Sequence, residues 1–208
     1  MSDHLPNLLI ILSIFTVGVA SPGPATLMIL TVGATRGRAA AVSLAFGIVA
    51  GSMVWACVAA MGLVAAMAVS AIAFTVLKLA GGLYLLYLAF RSLRSAMSAT
   101  APMPRAVSGT RQRSFFEGLL LHLTNPKAPL VWMATLSVGL GATAPPAFLV
   151  TAILACESVA VIVFVGYAVL FSSPPAIRIY AALRRPLDAV VGVLFGAAGM
   201  KILTLKTA

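Results

Sequence analysis

Hydrophobic and polar residues alternate along this chain on the scale of whole helices, in long apolar stretches separated by short polar connections. Each stretch reaches the length of about 20 residues that an α-helix needs to cross a hydrocarbon core about 30 Å thick. The pattern predicts six membrane-spanning helices, at residues 5–31, 39–66, 71–90, 115–140, 146–171 and 187–205. We therefore expect a single all-α integral membrane domain over residues 1–208.

The composition excludes an ordinary soluble domain, because 62% of the residues are hydrophobic, 9% are charged and the mean hydropathy is +1.10. The first apolar stretch also resembles a secretory signal peptide, since Ser21 and other small residues follow it. A signal peptide begins with Lys or Arg, whereas Asp3 is the only charged residue before Ile10 here. We expect this stretch to be retained as the first helix.

Two helix-breaking strings interrupt the first and the fourth predicted spans. They are Ser21-Pro22-Gly23-Pro24 and Thr124-Asn125-Pro126-Lys127-Ala128-Pro129. Proline lacks a backbone donor and clashes with the preceding turn, so each string should unwind or kink its helix. An unwound backbone is tolerated in a bilayer only where it is buried in protein or lines a cavity. Paired breaks in corresponding halves indicate the binding site of a transporter near the membrane midplane.

The arginines indicate the orientation of the chain, because all ten follow the first, third or fifth span and so share one side. They are Arg36, Arg38, Arg91, Arg94, Arg105, Arg111, Arg113, Arg178, Arg184 and Arg185. Positive residues concentrate on the cytoplasmic side of membrane proteins, which places both termini in the periplasm. The net charge of +10 is therefore a topology signal, and we expect no nucleic-acid partner.

A polar segment at residues 95–114 separates three spans from three, so any internal repeat must be inverted. We expect repeat one at residues 1–94, a cytoplasmic linker, and repeat two at 115–208. Two pairs of residues align between the halves: Pro22 with Pro126 and Gly81 with Gly192. The second pair is seven residues further apart than the first, which predicts a longer loop before the sixth span.

Several strings resemble the motifs of the lysine exporter superfamily, and most closely its homoserine/threonine exporter branch. They are residues 21–24, 27–33, 36–38 and 47–51, residues 82–89 with Arg91 behind them, and residues 123–128. The resemblance covers essentially the whole chain. It implies a bacterial inner-membrane exporter of amino acids or related small metabolites, driven by the proton gradient. Many relatives carry Asn or Asp directly after Pro-Gly-Pro, whereas this chain has Ala25.

The candidate substrate-binding residues belong to the two breaks: Pro22, Gly23, Pro24, Asn125, Pro126 and Lys127. The amino-terminal end of a half-helix suits a carboxylate, and freed carbonyl groups suit an ammonium. The alternative for the first break is a structural proline kink that does not bind substrate. Asn125 can bind a zwitterion or cap its own helix. Lys127, roughly 18 Å into its span at 1.5 Å per residue, either contacts substrate or is anchored to carbonyl groups or to Glu157.

Glu157 is the candidate proton-coupling residue, because it lies near the middle of the fifth span. A carboxyl group there can exchange a proton for a substrate ammonium, and the alternative is a permanent pair with Lys127 or Lys78. Lys78, Tyr84 and Tyr87 are candidate residues of the transport path. Glu117 and Asp188 follow arginines at the starts of their spans, and we expect structural ion pairs there.

No P-loop, dinucleotide motif or metal-ligand cluster is apparent in the sequence, so we expect neither a cofactor nor an enzyme activity. The alternatives to an amino-acid exporter are a membrane structural or assembly subunit, an exporter of another solute, and a membrane enzyme with a polar site. Gly47 and Gly51 have the spacing of closely packed membrane helices, which fits either packing within one chain or a homodimer.

Overall fold

The computed structural model describes residues 5–69, 71–98, 109–125, 127–139 and 145–204. Within these ranges the chain forms eight α-helices and no strands. The helices are α1 (Leu5–Ala20), α2 (Pro24–Arg36), α3 (Arg38–Val69), α4 (Ala71–Met97), α5 (Arg111–Thr124), α6 (Lys127–Gly139), α7 (Pro146–Leu170) and α8 (Pro174–Thr204). Half of the predicted linker, with Arg105, lies outside the described residues.

Every predicted span coincides with a helix or with a pair of helices. The first predicted span corresponds to α1 with α2 and the fourth to α5 with α6, so both predicted breaks interrupt helical structure. Two helices, α3 and α7, are long and apolar enough to cross a membrane, and α1 with α2 is a third if this bent pair is one span. Among the described residues, the other helices do not pass the same test.

The last helix begins earlier than the hydropathy pattern predicts. Helix α8 begins at Pro174, whereas the sixth span was placed at residues 187–205 with a longer loop before it. The predicted loop is wrong, because the segment with Arg178 and Arg184 is helical and Pro186 lies inside the helix. Charged residues in an amphipathic helix lower the mean hydropathy without interrupting the backbone.

Helices α3 and α5 pack closely through glycines. A Cβ atom on Gly47 would lie 1.9 Å from the carbonyl oxygen of Phe115, and one on Gly118 would lie 2.1 Å from that of Leu44. A Cβ atom on Gly51 would lie 2.9 Å from the Cβ of His122. The Gly47–Gly51 pair is thus covered within the chain, so it is not available to form a homodimer.

The remaining helices surround the two breaks. Helix α4 packs along α8, and α7 packs against α1 and α3. The buried rings of Phe15 and Trp132 lie between α1 and α6, with centroids 4.6 Å apart. Large apolar side chains such as Leu9, Phe46 and Ile162 are exposed on the outer faces. An exposed apolar surface of this kind suits contact with lipid.

Candidate functional site

The first break lies between α1 and α2. Helix α1 ends at Ala20, α2 begins at Pro24, and the two axes are bent by 50°. Gly23 occupies the position before α2, and no side chain caps that helix. The first amides of a helix have no partner within it and give its end a partial positive charge. This break therefore presents an uncapped, positively polarised helix end.

The second break lies between α5 and α6 and is capped by its own side chain. Helix α5 ends at Thr124 and α6 begins at Lys127. The Oδ1 atom of Asn125 accepts a hydrogen bond from the backbone N–H of Lys127 at 3.1 Å. Asn125 thus caps α6, one of the two roles that the sequence left open for it. Pro126 lies outside the described residues.

Lys127 of the second break contacts Ser21 of the first break, which is 106 residues away along the chain. Its ammonium donates to the carbonyl oxygen of Ser21 at 3.1 Å and, over a shorter distance, to the hydroxyl of Ser21. That hydroxyl in turn donates to the carbonyl oxygen of Gly18 at 2.8 Å. A Cβ atom on Gly23 would lie 3.3 Å from the Nζ of Lys127, so a glycine leaves room for the ammonium.

The anchor of Lys127 is therefore a carbonyl group and a hydroxyl group. Among the ion pairs of the described residues there is none between Lys127 and Glu157. The first break is held from a further side by Tyr167 of α7, whose hydroxyl donates to the carbonyl oxygen of Ala20 at 2.7 Å. Side chains from two other helices thus satisfy carbonyl groups next to the break.

A cavity of about 270 Å³, which we call the vestibule, opens beside both breaks. Its walls come from the breaks and from α4 and α8, the helices that carry Arg91 and Arg184. It therefore lies on the side of the arginines. Five of the six residues predicted to bind substrate line it: Pro22, Gly23, Pro24, Asn125 and Lys127.

A smaller cavity of about 30 Å³, which we call the inner cavity, shares Gly23, Asn125 and Lys127 with the vestibule. Space of this size holds about two water molecules, so it does not hold a metabolite. Trp132 lines it, and the indole N–H of Trp132 donates to the hydroxyl of Ser52 at 3.0 Å. Of these two cavities, the vestibule is the one with room for a solute.

The arginine side of the protein contains two networks of ion pairs. Glu117 pairs with Arg36 at 2.6 Å and with Arg113 at 3.0 Å, as expected from the sequence. Asp188 pairs with Arg184 at 3.6 Å and accepts a hydrogen bond from the hydroxyl of Ser95 at 2.8 Å. Only the second network lines the vestibule. Asp188 thus belongs to the candidate site.

Glu157 lies in α7 with 5% of its surface exposed. Neither of its carboxyl oxygens has a hydrogen-bond partner among the described residues. Glu157 lines neither cavity, but Phe164, two helical turns further along α7, lines the inner cavity. Burying a carboxyl group without hydrogen-bond partners costs folding free energy, so a purely structural role does not account for Glu157.

Of the three candidate path residues in α4, the structure describes the side chain of one, Tyr87. The side chains of Lys78 and Tyr84 are outside the described set, although helix α4 contains both positions. Tyr87 is 50% exposed and lines neither cavity, and the guanidinium carbon of Arg91 lies 5.9 Å from the centroid of its ring. The structure places Arg91, rather than Tyr87, on the wall of the vestibule.

Sequence reasoning missed several residues of this region. Ser21 was only part of a helix-breaking string, yet it is the partner of Lys127. Ser52 and Trp132 lie in apolar stretches without any local pattern that marks them. Asp188 carried a usable signal, since it is an acid at the start of a predicted apolar span.

Comparisons with known proteins identify the family to which this chain belongs. Residues 16–206 match the family described as LysE type translocator. The threonine efflux protein of Salmonella typhi is 33% identical over 192 residues, which cover 90% of this chain and 92% of that protein. The threonine efflux protein of Escherichia coli K12 is 32% identical, with the same coverage. The leucine efflux protein of Salmonella choleraesuis is 25% identical over 91% of each chain. No solved structure gives a significant match.

Proposed function

Because this chain belongs to the LysE type translocator family, we propose that it is a secondary active exporter of amino acids or related small metabolites in the bacterial inner membrane. Relatives named as threonine and leucine efflux proteins support an amino-acid substrate. The observation that carries the proposal is the meeting of two helix breaks at one cavity, joined by Lys127. Broken helices in corresponding halves form the substrate sites of many secondary transporters.

The substrate carboxylate binds at the amino-terminal end of α2 and at Lys127. The uncapped end of α2 offers backbone N–H groups, and the ammonium of Lys127 lies beside Gly23 at that end. Both features attract an anion, and a glycine lets the ligand approach the backbone closely. Asn125 shapes the second break by capping α6.

The proposed architecture is six spans in two inverted repeats, at residues 1–94 and 115–208, with the arginines and the vestibule facing the cytoplasm and both termini in the periplasm. The packing supports it. Under an inverted repeat α1 corresponds to α5 and α3 corresponds to α7, so the packing of α1 against α7 matches the packing of α5 against α3. The proposed path runs through each protomer separately, whether or not two chains form a homodimer.

Export is coupled to protons through Glu157. This carboxyl group is buried, lacks hydrogen-bond partners among the described residues and is not paired with Lys127. It is therefore free to change its protonation state as the transporter changes conformation. Intramembrane acids that face the bundle interior commonly serve as proton relays.

Reconstitution in liposomes tests the proposed function. The experiment measures counterflow of a labelled panel of neutral, basic and acidic amino acids, with and without an imposed pH gradient. We expect counterflow of at least one amino acid and accumulation that responds to the gradient. Folded protein without counterflow of any amino acid would favour another solute, and failure with a broad metabolite panel would favour a structural or assembly role.

The Glu157→Gln variant tests the coupling. We expect gradient-driven accumulation to disappear while counterflow without a gradient stays within about twofold of the wild type, because exchange does not require net proton movement. Glu117→Gln is the matched control, since it removes an acid that lines neither cavity. An unchanged response to the gradient in Glu157→Gln would show that protons move elsewhere.

A further inference from the structure

Asp188 lines the vestibule together with Gly23 and Lys127 of the proposed carboxylate site. We propose that Asp188 binds the ammonium group of the substrate, so that the vestibule selects α-amino acids as zwitterions. This inference rests on the proposed export function and deepens it. It assigns the recognition of the two charged groups of an amino acid to residues from different helices that line one cavity.

The position of Asp188 supports this role. It is 1% exposed in α8, yet it lines the vestibule together with Lys127 of α6. Among the ion pairs of the described residues there is none between Asp188 and Lys127. A cation and an anion from different helices thus line one cavity of about 270 Å³ without forming an ion pair with each other.

The contacts of Asp188 hold it in place without fully neutralising it. The Nε atom of Arg184 is 3.6 Å from its Oδ2 atom, which is long for a charge-assisted hydrogen bond. The Nη2 atom of Arg184 instead donates to the hydroxyl of Ser95 at 2.8 Å, and that hydroxyl donates to Asp188. Arg184 therefore orients Asp188 mainly through Ser95, which leaves negative charge for a ligand.

The charge balance of the vestibule argues for a zwitterion. Lys127, Arg91 and Arg184 supply three positive charges, and Asp188 is the one acid among the residues described as lining it. A cavity that recognised only anions would gain nothing from a carboxylate on its wall beyond the contacts that Arg184 and Ser95 make with it. An amino acid between Lys127 and Asp188 places its carboxylate at the ammonium of Lys127 and its ammonium at the carboxylate of Asp188. A 2-hydroxy acid binds at Lys127 alone and offers Asp188 no cation.

The wild-type protein provides the first test. Binding of L-threonine and L-leucine in detergent is compared with binding of their 2-hydroxy acid analogues, in which a hydroxyl group replaces the ammonium. We expect each amino acid to bind at least about tenfold more tightly than its analogue, because sites built for a polar group strongly reject ligands that lack it. Equal affinities in the wild-type protein would overturn the inference.

The Asp188→Asn variant provides the second test, with size-exclusion chromatography to verify its fold. We expect its preference for the amino acid over the 2-hydroxy acid to fall below about threefold, with affinity for the hydroxy acid unchanged or improved. Glu117→Gln, the matched control, should keep the wild-type preference. An unchanged preference in a folded Asp188→Asn protein would contradict the role of Asp188.

The two proposals fail in distinguishable ways. If the wild-type protein neither binds nor transports any amino acid, the proposed function fails. If it transports amino acids but accepts hydroxy acids equally well, or if Asp188→Asn keeps full discrimination, only the assignment of Asp188 fails. The binding measurement on the wild-type protein does not depend on the folding of any variant.

Discussion

The two helix breaks occupy corresponding positions in the two halves of the chain, but they offer different chemistry. The first break has no charged side chain and no side-chain cap, so it offers backbone amides and carbonyl groups. The second carries Asn125, which caps its own helix, and Lys127, which reaches across to Ser21 of the first break. One break provides the polarised backbone, and the other provides the cation that faces it.

This difference shows how an inverted pair of helices can build an asymmetric site. Two identical breaks would place two similar helix ends at the cavity and would not distinguish one end of a substrate from the other. A glycine at position 23 leaves space, and a lysine from the other break occupies part of that space. Recognition of a polar substrate therefore depends on both halves.

The largest effect is expected from removing the cation of the second break. Lys127→Met should lower counterflow at least about 30-fold, because truncating one partner of a buried, hydrogen-bonded charge pair typically costs about 2–5 kcal/mol. Counterflow in liposomes measures the loss. Lys127→Arg keeps the charge with a different geometry and should retain part of the activity. Counterflow of Lys127→Met within twofold of the wild type would contradict the proposed carboxylate site.

A smaller effect is expected from filling the space at the first break. Gly23→Ala places a Cβ atom 3.3 Å from the Nζ of Lys127, so the ammonium must shift by a few tenths of an ångström. The backbone there is extended, with φ of −172°, which any residue adopts. We expect the KM to rise by about threefold to tenfold while the protein folds normally, because small misplacements of a binding group are costly.

Gly166→Ala is the matched control for this prediction. A Cβ atom on Gly166 of α7 meets nothing within 4 Å, so this variant should keep the wild-type KM. If Gly23→Ala also keeps the wild-type KM, the close approach of Lys127 to the first break has no role in substrate binding.

The smallest effects are expected from the groups that only hold each break in shape. Asn125→Ala removes the cap of α6, which should cost about 1 kcal/mol and lower the unfolding temperature by about 2–4 °C. Transport should decrease only modestly. A thermal unfolding assay and counterflow on the same preparation separate the two effects. A complete loss of transport at unchanged stability would show instead that Asn125 contacts the substrate.

Tyr167→Phe is the corresponding change at the first break. It removes the hydrogen bond from the tyrosine hydroxyl to the carbonyl oxygen of Ala20, which should also cost about 1 kcal/mol. Similar decreases in unfolding temperature for both variants would show that the breaks are held equally firmly. A much larger decrease for one of them would identify the less tolerant break.

Much of the fold could be predicted from the sequence, because its signals are local. The fifth span was predicted at residues 146–171, and α7 runs from Pro146 to Leu170. The prediction failed at the start of α8, where Arg178 and Arg184 lower the hydropathy of a segment that is nevertheless helical. Averages over a window detect apolar helices and miss amphipathic ones.

The position of both breaks follows from local properties of the chain, since a proline restricts its own backbone and removes its own donor wherever the chain lies. The residue types at the breaks are likewise read directly from the sequence. The partners of these residues depend on the packing of the helices. Lys127 bonds to Ser21 rather than to Glu157, and Asp188 shares a cavity with both breaks. These contacts join residues far apart in the chain, so they depend on how α1, α6 and α8 pack.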